Sequence, residues 1–295
     1  MDAQSLSFPE RGPARLMRRT LHGISAPVAW SVLHPLRFAP LLTPRSVGLE
    51  YRSLSLESEG ARLAAWHIPC DGARAGVVLC HGHNDCRTQF RSLLRPLHEA
   101  GLHLLLFDFR AMGFSGGRHC TYGHRERNDV LAAVRRLREE AGIEQVGLLG
   151  YSMGGATALL AAADDPSIAA VVTDCAFARM EDMVEQRFAV LPPRLRAPVA
   201  ASVRHWGVQW SGAVVEEVDP EAAVRTWRPR PLLVIHGDRD RVIPPGHGER
   251  LAAAGGPEAQ LWIVPNAPHV GCRRVAGEEY YERVGGFFRQ HLLNR

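Results

Sequence analysis

The 295 residues suffice for one large α/β domain or two small ones, and 46% hydrophobic with 22% charged content is ordinary for a globular protein. The net charge is only +4, and the 35 basic residues, all arginine, are scattered among 31 acidic ones. With no basic stripe and no aromatic-interleaved basic run, a nucleic-acid-binding class is set aside. The six cysteines, at 70, 80, 86, 120, 175 and 272, lack the spacing of a disulfide framework and fit a reducing, cytoplasmic setting.

Residues 1–13 are polar. Arg15-Leu-Met-Arg-Arg19 leads into a stretch that is apolar to Leu42 but interrupted by His22, Pro27, His34, Pro35, Arg37 and Pro40. A spanning helix needs roughly 20 mainly apolar residues without such breaks. An extension packed on the fold is the preferred reading of residues 15–42. Peripheral contact with a membrane surface and a cleaved signal are the other two.

From residue 50 the pattern is regular. Tyr51–Glu57 alternates, Glu59-Gly60 turns, and Arg62–Ile68 follows, which predicts a hairpin. Short apolar runs at 76–80, 103–107, 146–149, 169–173, 231–235 and 260–264 read as buried parallel strands. Helical spacing falls between them at 90–100, 126–141, 156–163 and 248–254, and at 278–293 after the last. The expected fold is α/β: a mostly parallel eight-stranded sheet with helices on both faces. Residues 179–228, with Pro192-Pro193, Pro198, Trp206, Trp210 and Trp227, break this rhythm and read as a small helical cap insertion. The expected organisation is an extension (1–48), a first core part (49–178), the cap (179–228) and a second core part (229–295).

Ligands of open α/β sheets sit outside the carboxyl ends of the strands, and reactive residues gather there in this sequence. Gly150-Tyr-Ser152-Met-Gly154, between an apolar run and an alanine-rich helix, is the pattern of a sharp turn that presents Ser152 as a nucleophile. A serine needs a base, and the base an orienting acid. His269, in the loop after the last strand, is the candidate base. Asp238 and Asp240 are candidate acids, Asp240 preferred because it lies further into its loop. The backbone N–H groups of Met153 and His83 are the candidate oxyanion donors.

His81-Gly82, Asp108-x-Arg110-x-x-Gly113-x-Ser115, Gly150-Tyr-Ser-Met-Gly-Gly155, His236-Gly-x-x-Asp240-x-x-Ile-Pro244 and His269 together resemble the α/β-hydrolase fold superfamily, in its serine aminopeptidase-like and prolyl-oligopeptidase-like branch. The resemblance covers about residues 46–178 and 229–293. It implies that fold and a serine hydrolase. Ala111-Met112 departs from it, since the family more often has glycine after the arginine, and a local loop change is expected there.

Other residues have plainer readings. Cys80, His81, His83 and Cys86 alternate about a strand end and are not expected to converge on a metal. His81 is expected to support the oxyanion loop, and His103 and His247 to pack or lie at the surface. Asp108 and Arg110 are expected to pair with each other, although substrate binding is a second reading. Glu126 and Asp129 are explained by a helix N-terminus, and Asp174 by ordering of the loop into the cap. Trp206 and Trp210, four apart on one helical face, either line a substrate pocket or pack the cap. The expected activity is cleavage of a carboxylic ester or thioester of a small-molecule acyl substrate, with no cofactor. A peptidase or amidase on the same residues, and a non-catalytic binding protein, are the alternatives.

Overall fold

The computed structural model describes residues 23, 25–227 and 229–294. Strands β1 (Arg52–Ser58) and β2 (Ala61–Ile68) form the opening antiparallel hairpin. Its turn residues Glu59 and Gly60 both have positive φ, 46° and 77°, the sense that matches strand twist. Six strands follow: β3 (Ala75–Cys80), β4 (His103–Phe107), β5 (Gln145–Tyr151), β6 (Ile168–Asp174), β7 (Leu232–Gly237) and β8 (Ala259–Val264). The sheet order is β1-β2-β4-β3-β5-β6-β7-β8, antiparallel at β1–β2 and β2–β4 and parallel elsewhere. The chain passes from β3 to β4 on one side, then returns to place β5 on the other. That reversal opens a crevice at the carboxyl ends of β3 and β5.

Both faces of the sheet are covered. On one face Val78 and Leu148 pack with residues of helices α3 (Glu126–Ala141), α4 (Met153–Asp164) and α8 (Gly246–Gly255). On the other, Val77, Leu79 and Leu149 pack with α2 (Arg91–Glu99) and α10 (Glu278–Phe288). Neighbouring residues of β3 thus enter opposite cores, as strand geometry requires, and every residue of β3, β4 and β7 is buried. The short helix α9 (Cys272–Ala276) falls outside the expected elements.

Between β6 and β7 the chain forms α5 (Met180–Arg187), α6 (Pro193–Ser211) and α7 (Pro220–Arg225). Val184, Phe188 and Ala200 make a small third core, joined by Val28 and Val203. Val28 belongs to a helix over residues 25–33, here α1, in the stretch whose breaks argued against a membrane-spanning helix. Residue 23 is helical too, and Pro27, lacking an N–H, makes no backbone bond back to it. The Ser25 and Ser202 hydroxyls, 2.6 Å apart, tie α1 to α6, and the Cys120 amide donates to the Leu33 carbonyl at 2.8 Å. Beyond α1, the Leu36 amide donates to Asn84 Oδ1 at 2.9 Å, and the Arg37 guanidinium donates to the Ser115 and Gly117 carbonyls. Residues 25–37 are thereby fastened over the loops that follow β3 and β4. Trp30, Leu36, Phe38, Leu41 and Leu42 remain exposed. Arg15, Arg18 and Arg19 lie outside the described residues, among which no helix is long and apolar enough to cross a membrane.

Candidate active site

Strand β5 ends in a turn that only small residues permit. A Cβ on Gly154 would stand 2.0 Å from the Cys80 carbonyl oxygen, and one on Gly150 would stand 2.4 Å from that of Gly154. The missing side chains let α4 start directly against the end of β3, which forces Ser152 to φ 52°, ψ −120°. The Ser152 amide is held by the Asp174 carbonyl at 2.8 Å. Its hydroxyl is half-buried and projects at the N-terminus of α4, where the first N–H groups have no intrahelical partner.

Ser152 Oγ lies 3.0 Å from His269 Nε2, and His269 Nδ1 lies 2.6 Å from Asp240 Oδ2. The second oxygen of Asp240 accepts the Val242 and Ile243 amides at 2.8 and 2.9 Å, so the buried carboxylate is fully engaged. His236 braces the same loop, its Nε2 lying 2.8 Å from the Ile243 carbonyl. Asp238 is exposed, with Oδ1 accepting the Asn266 amide at 2.6 Å, and so shapes the neighbouring turn. The structure therefore brings Ser152, His269 and Asp240 into one hydrogen-bonded line and leaves Asp238 out of it.

The loop after β3 closes over this line. Gly82 lies beside Ser152, a Cβ there being 3.6 Å from the serine Cβ, and its amide donates to Gln89 Oε1 at 2.8 Å. His81 Nε2 accepts the Phe109 amide at 3.0 Å, which anchors the loop to the end of β4. The His83 ring stacks on Tyr122, centroids 4.5 Å apart. Among the described residues, no protein acceptor takes the backbone N–H of His83 or of Met153.

A family model described as alpha/beta hydrolase fold matches residues 77–222. The chain has the α/β-hydrolase fold. It is similar to the Pyrococcus furiosus esterase Pf2001, with a TM-score of 0.73 and 26% identity, over 89% of this chain and 99% of that one. It is 26% identical over 244 residues to the uncharacterized protein YfhR of Escherichia coli K12, covering 80% of this chain and 76% of that protein. With YqkD of Bacillus subtilis, also uncharacterized, it shares 29% identity over 217 residues, 71% of this chain and 70% of the other. The fold and these likenesses make the chain a hydrolase.

The electrostatics of this α/β hydrolase polarise the His–Asp pair. Burial pushes the Asp240 carboxyl up, but the hydrogen bonds from His269 and the Ile243 and Val242 amides prevail and hold it below the usual carboxylate value. Burial lowers His269, yet its bonds to Asp240 and Cys175 outweigh that and raise it to about 9. Cys175, left-handed at φ 57° and buried, accepts the Val270 amide and lies 3.9 Å from Cys272, sulfur to sulfur. Among the described residues, Asp174–Cys175–Cys272 and Cys175–Asp240–His269 are spaced to hold a metal. The second set is committed to the His–Asp hydrogen bond, and the raised thiol values of Cys175 and Cys272 disfavour the thiolates a metal would need in either.

Several sequence expectations are corrected. Asp108 and Arg110 do not pair. Asp108 binds the Arg87 guanidinium at 2.7 Å and the Phe114 amide at 2.8 Å, while Arg110 forks onto Asp129, nearest contact 2.6 Å. Both lie in the turn after β4, where Asp108 meets the segment that follows β3 and Arg110 meets the first turn of α3. Glu126 and Asp129 do stand in the first turn of α3, and both are in addition fully buried and engaged by specific partners. Glu126 accepts the Thr121 and Gly123 amides and the Thr121 hydroxyl, which fixes Tyr122 between them at φ 54°. Ala111 occupies the left-handed region, φ 62°, so the loop keeps a conformation suited to the glycine it lacks. His103 and His247 are buried acceptors of the Cys70 and Ala178 amides. Trp206 and Trp210 stack on each other at 4.8 Å, and Trp210 meets Trp30 of α1 edge-on at 5.8 Å. Trp210 thus packs α6 against α1, with Trp206 stacked on it one turn away.

Proposed function

We propose that this hydrolase cleaves carboxylic esters or thioesters through Ser152, His269 and Asp240. The observation that carries the reading is the hydrogen-bonded line of 3.0 Å from Ser152 Oγ to His269 Nε2 and 2.6 Å from Nδ1 to Asp240. Neutral His269 takes the serine proton on Nε2 as Oγ bonds to the acyl carbon and the carbonyl π pair moves onto oxygen. The Met153 and His83 N–H groups receive that oxyanion. Its collapse breaks the bond to the leaving group, which takes the proton from Nε2. Water repeats the sequence, and the acid leaves Ser152. Asp240 keeps the imidazole in the tautomer that accepts at Nε2 and favours the imidazolium as it forms. The likeness to the Pf2001 esterase supports an ester over an amide.

A panel of p-nitrophenyl esters set against aminoacyl anilides tests this. The expected result is ester turnover that disappears in Ser152→Ala. Anilide turnover with inert esters would overturn the substrate assignment, and activity that survives Ser152→Ala would overturn the mechanism.

A further inference from the structure

A nearly all-apolar cavity of about 60 Å³ lies between α1, α5, α6 and the loop ahead of α3. Val32, Tyr122, Met180, Val184, Val203 and Gly207 stand in its wall. Two of these also hold the oxyanion loop: Tyr122 carries the His83 ring on its own, and the Val32 carbonyl lies against the His83 imidazole. Tyr122 and Val32 thus stand between the cavity and the ring of His83, whose loop passes over Ser152. Buried Glu126, which no step of the hydrolysis uses, holds Tyr122 in place there.

We propose that this cavity receives the acyl chain of the substrate and limits it to about four carbons, with Gly207 and the α1 residue Val32 as two of the positions that set the limit. The proposal rests on the ester-hydrolase reading above. In this proposal the carbonyl oxygen sits at the His83 and Met153 amides and the acyl carbons pass Val32 and Tyr122, the two wall residues that touch the His83 ring. An apolar cavity of about 150 Å³ takes a benzene ring, roughly 25 Å³ per carbon. By that measure the volume here admits two or three carbons beyond the carbonyl. Gly207 marks where the chain would run. A Cβ built on it meets nothing within 4 Å, although the residue lies inside α6, where glycine costs about 1 kcal/mol relative to alanine. A side chain at 207 would grow into the space that the acyl carbons need.

The test varies acyl length from acetate to octanoate on a constant p-nitrophenol leaving group, then varies alcohol length on a constant acetyl group. The wild type is expected to turn over butyrate well and to lose about tenfold or more in kcat/KM at hexanoate, the discrimination typical of misplaced methylenes. In Gly207→Leu the butyrate-to-acetate ratio should fall by about tenfold. In Val203→Ala, which enlarges the cavity, the drop from butyrate to hexanoate should shrink. Leucine is a better helix former than glycine, so Gly207→Leu is expected to fold, and Val203→Ala reads the opposite direction independently. Unchanged acyl profiles in both active variants, or effects confined to the alcohol series, would overturn the proposal and leave the ester chemistry standing. A wild type inert toward every ester would remove both.

Discussion

The carboxyl edge of the sheet and the helical layer over it are built in different ways. At the edge, backbone geometry does the positioning. Gly150 and Gly154 permit a strained Ser152, and Asp240 accepts two amides besides His269. The layer of α1, α5 and α6 depends on a small apolar cluster, a serine pair and stacked tryptophans. The first arrangement tolerates almost no change of side-chain volume, whereas the second leaves open space beside Gly207. Chemistry is thus proposed for the tightly packed edge, and selection for the layer that has open space.

Breaking the edge gives the largest effects. Ser152→Ala should cut kcat by about 10⁶-fold while leaving the thermal transition near that of the wild type. Asp240→Asn should cost about 10⁴-fold through the wrong imidazole tautomer, whereas Asp238→Asn should cost only a few-fold. Equal losses in the two would contradict the assignment of the acid.

The pH profile sharpens the same contrast. His269 must be neutral to accept the serine proton, so kcat/KM should climb as pH rises through about 9. Asp240→Asn should move that limb toward the ordinary histidine value near 6.5. The sign is opposite for stability. With its value raised in the folded state, His269 contributes stability fully below about pH 6.5 and loses that contribution as pH rises through about 9. Activity and this part of stability therefore exchange across one window, which melting curves taken beside the rate profile would show.

Smaller effects belong to packing. Ser202→Ala removes the hydroxyl pair that ties α6 to α1 and should cost about 1 kcal/mol, read by chemical denaturation and by faster proteolysis near residue 25. Ala111→Gly should stabilise by about 0.5–1 kcal/mol, since glycine relieves the left-handed backbone there. A destabilised Ala111→Gly would show that the loop is not strained.

The same division governs what could be read from the sequence. Ser152, Asp240 and His269 were legible because each follows a strand, in a fixed order, and strand ends are local patterns. The hairpin was legible from its alternation and from Glu59-Gly60. The Arg110–Asp129 and Arg87–Asp108 pairs were not, since partners 19 and 21 residues apart meet only after the sheet has formed. Helix α1 was obscured by Pro27, a breaker whose cost is overridden here by packing against α5 and α6. The packing of Trp210 against Trp30 is a contact that no spacing encodes.

The central claim is that Ser152 is a nucleophile activated by His269 and Asp240. Fluorophosphonate labelling of the full-length protein, followed by peptide mass spectrometry, tests it most directly. One adduct on the peptide containing Ser152 is expected, with none in Ser152→Ala and slowed labelling in Asp240→Asn. A wild type that remains unlabelled, or an adduct that persists at another serine in Ser152→Ala, would contradict it.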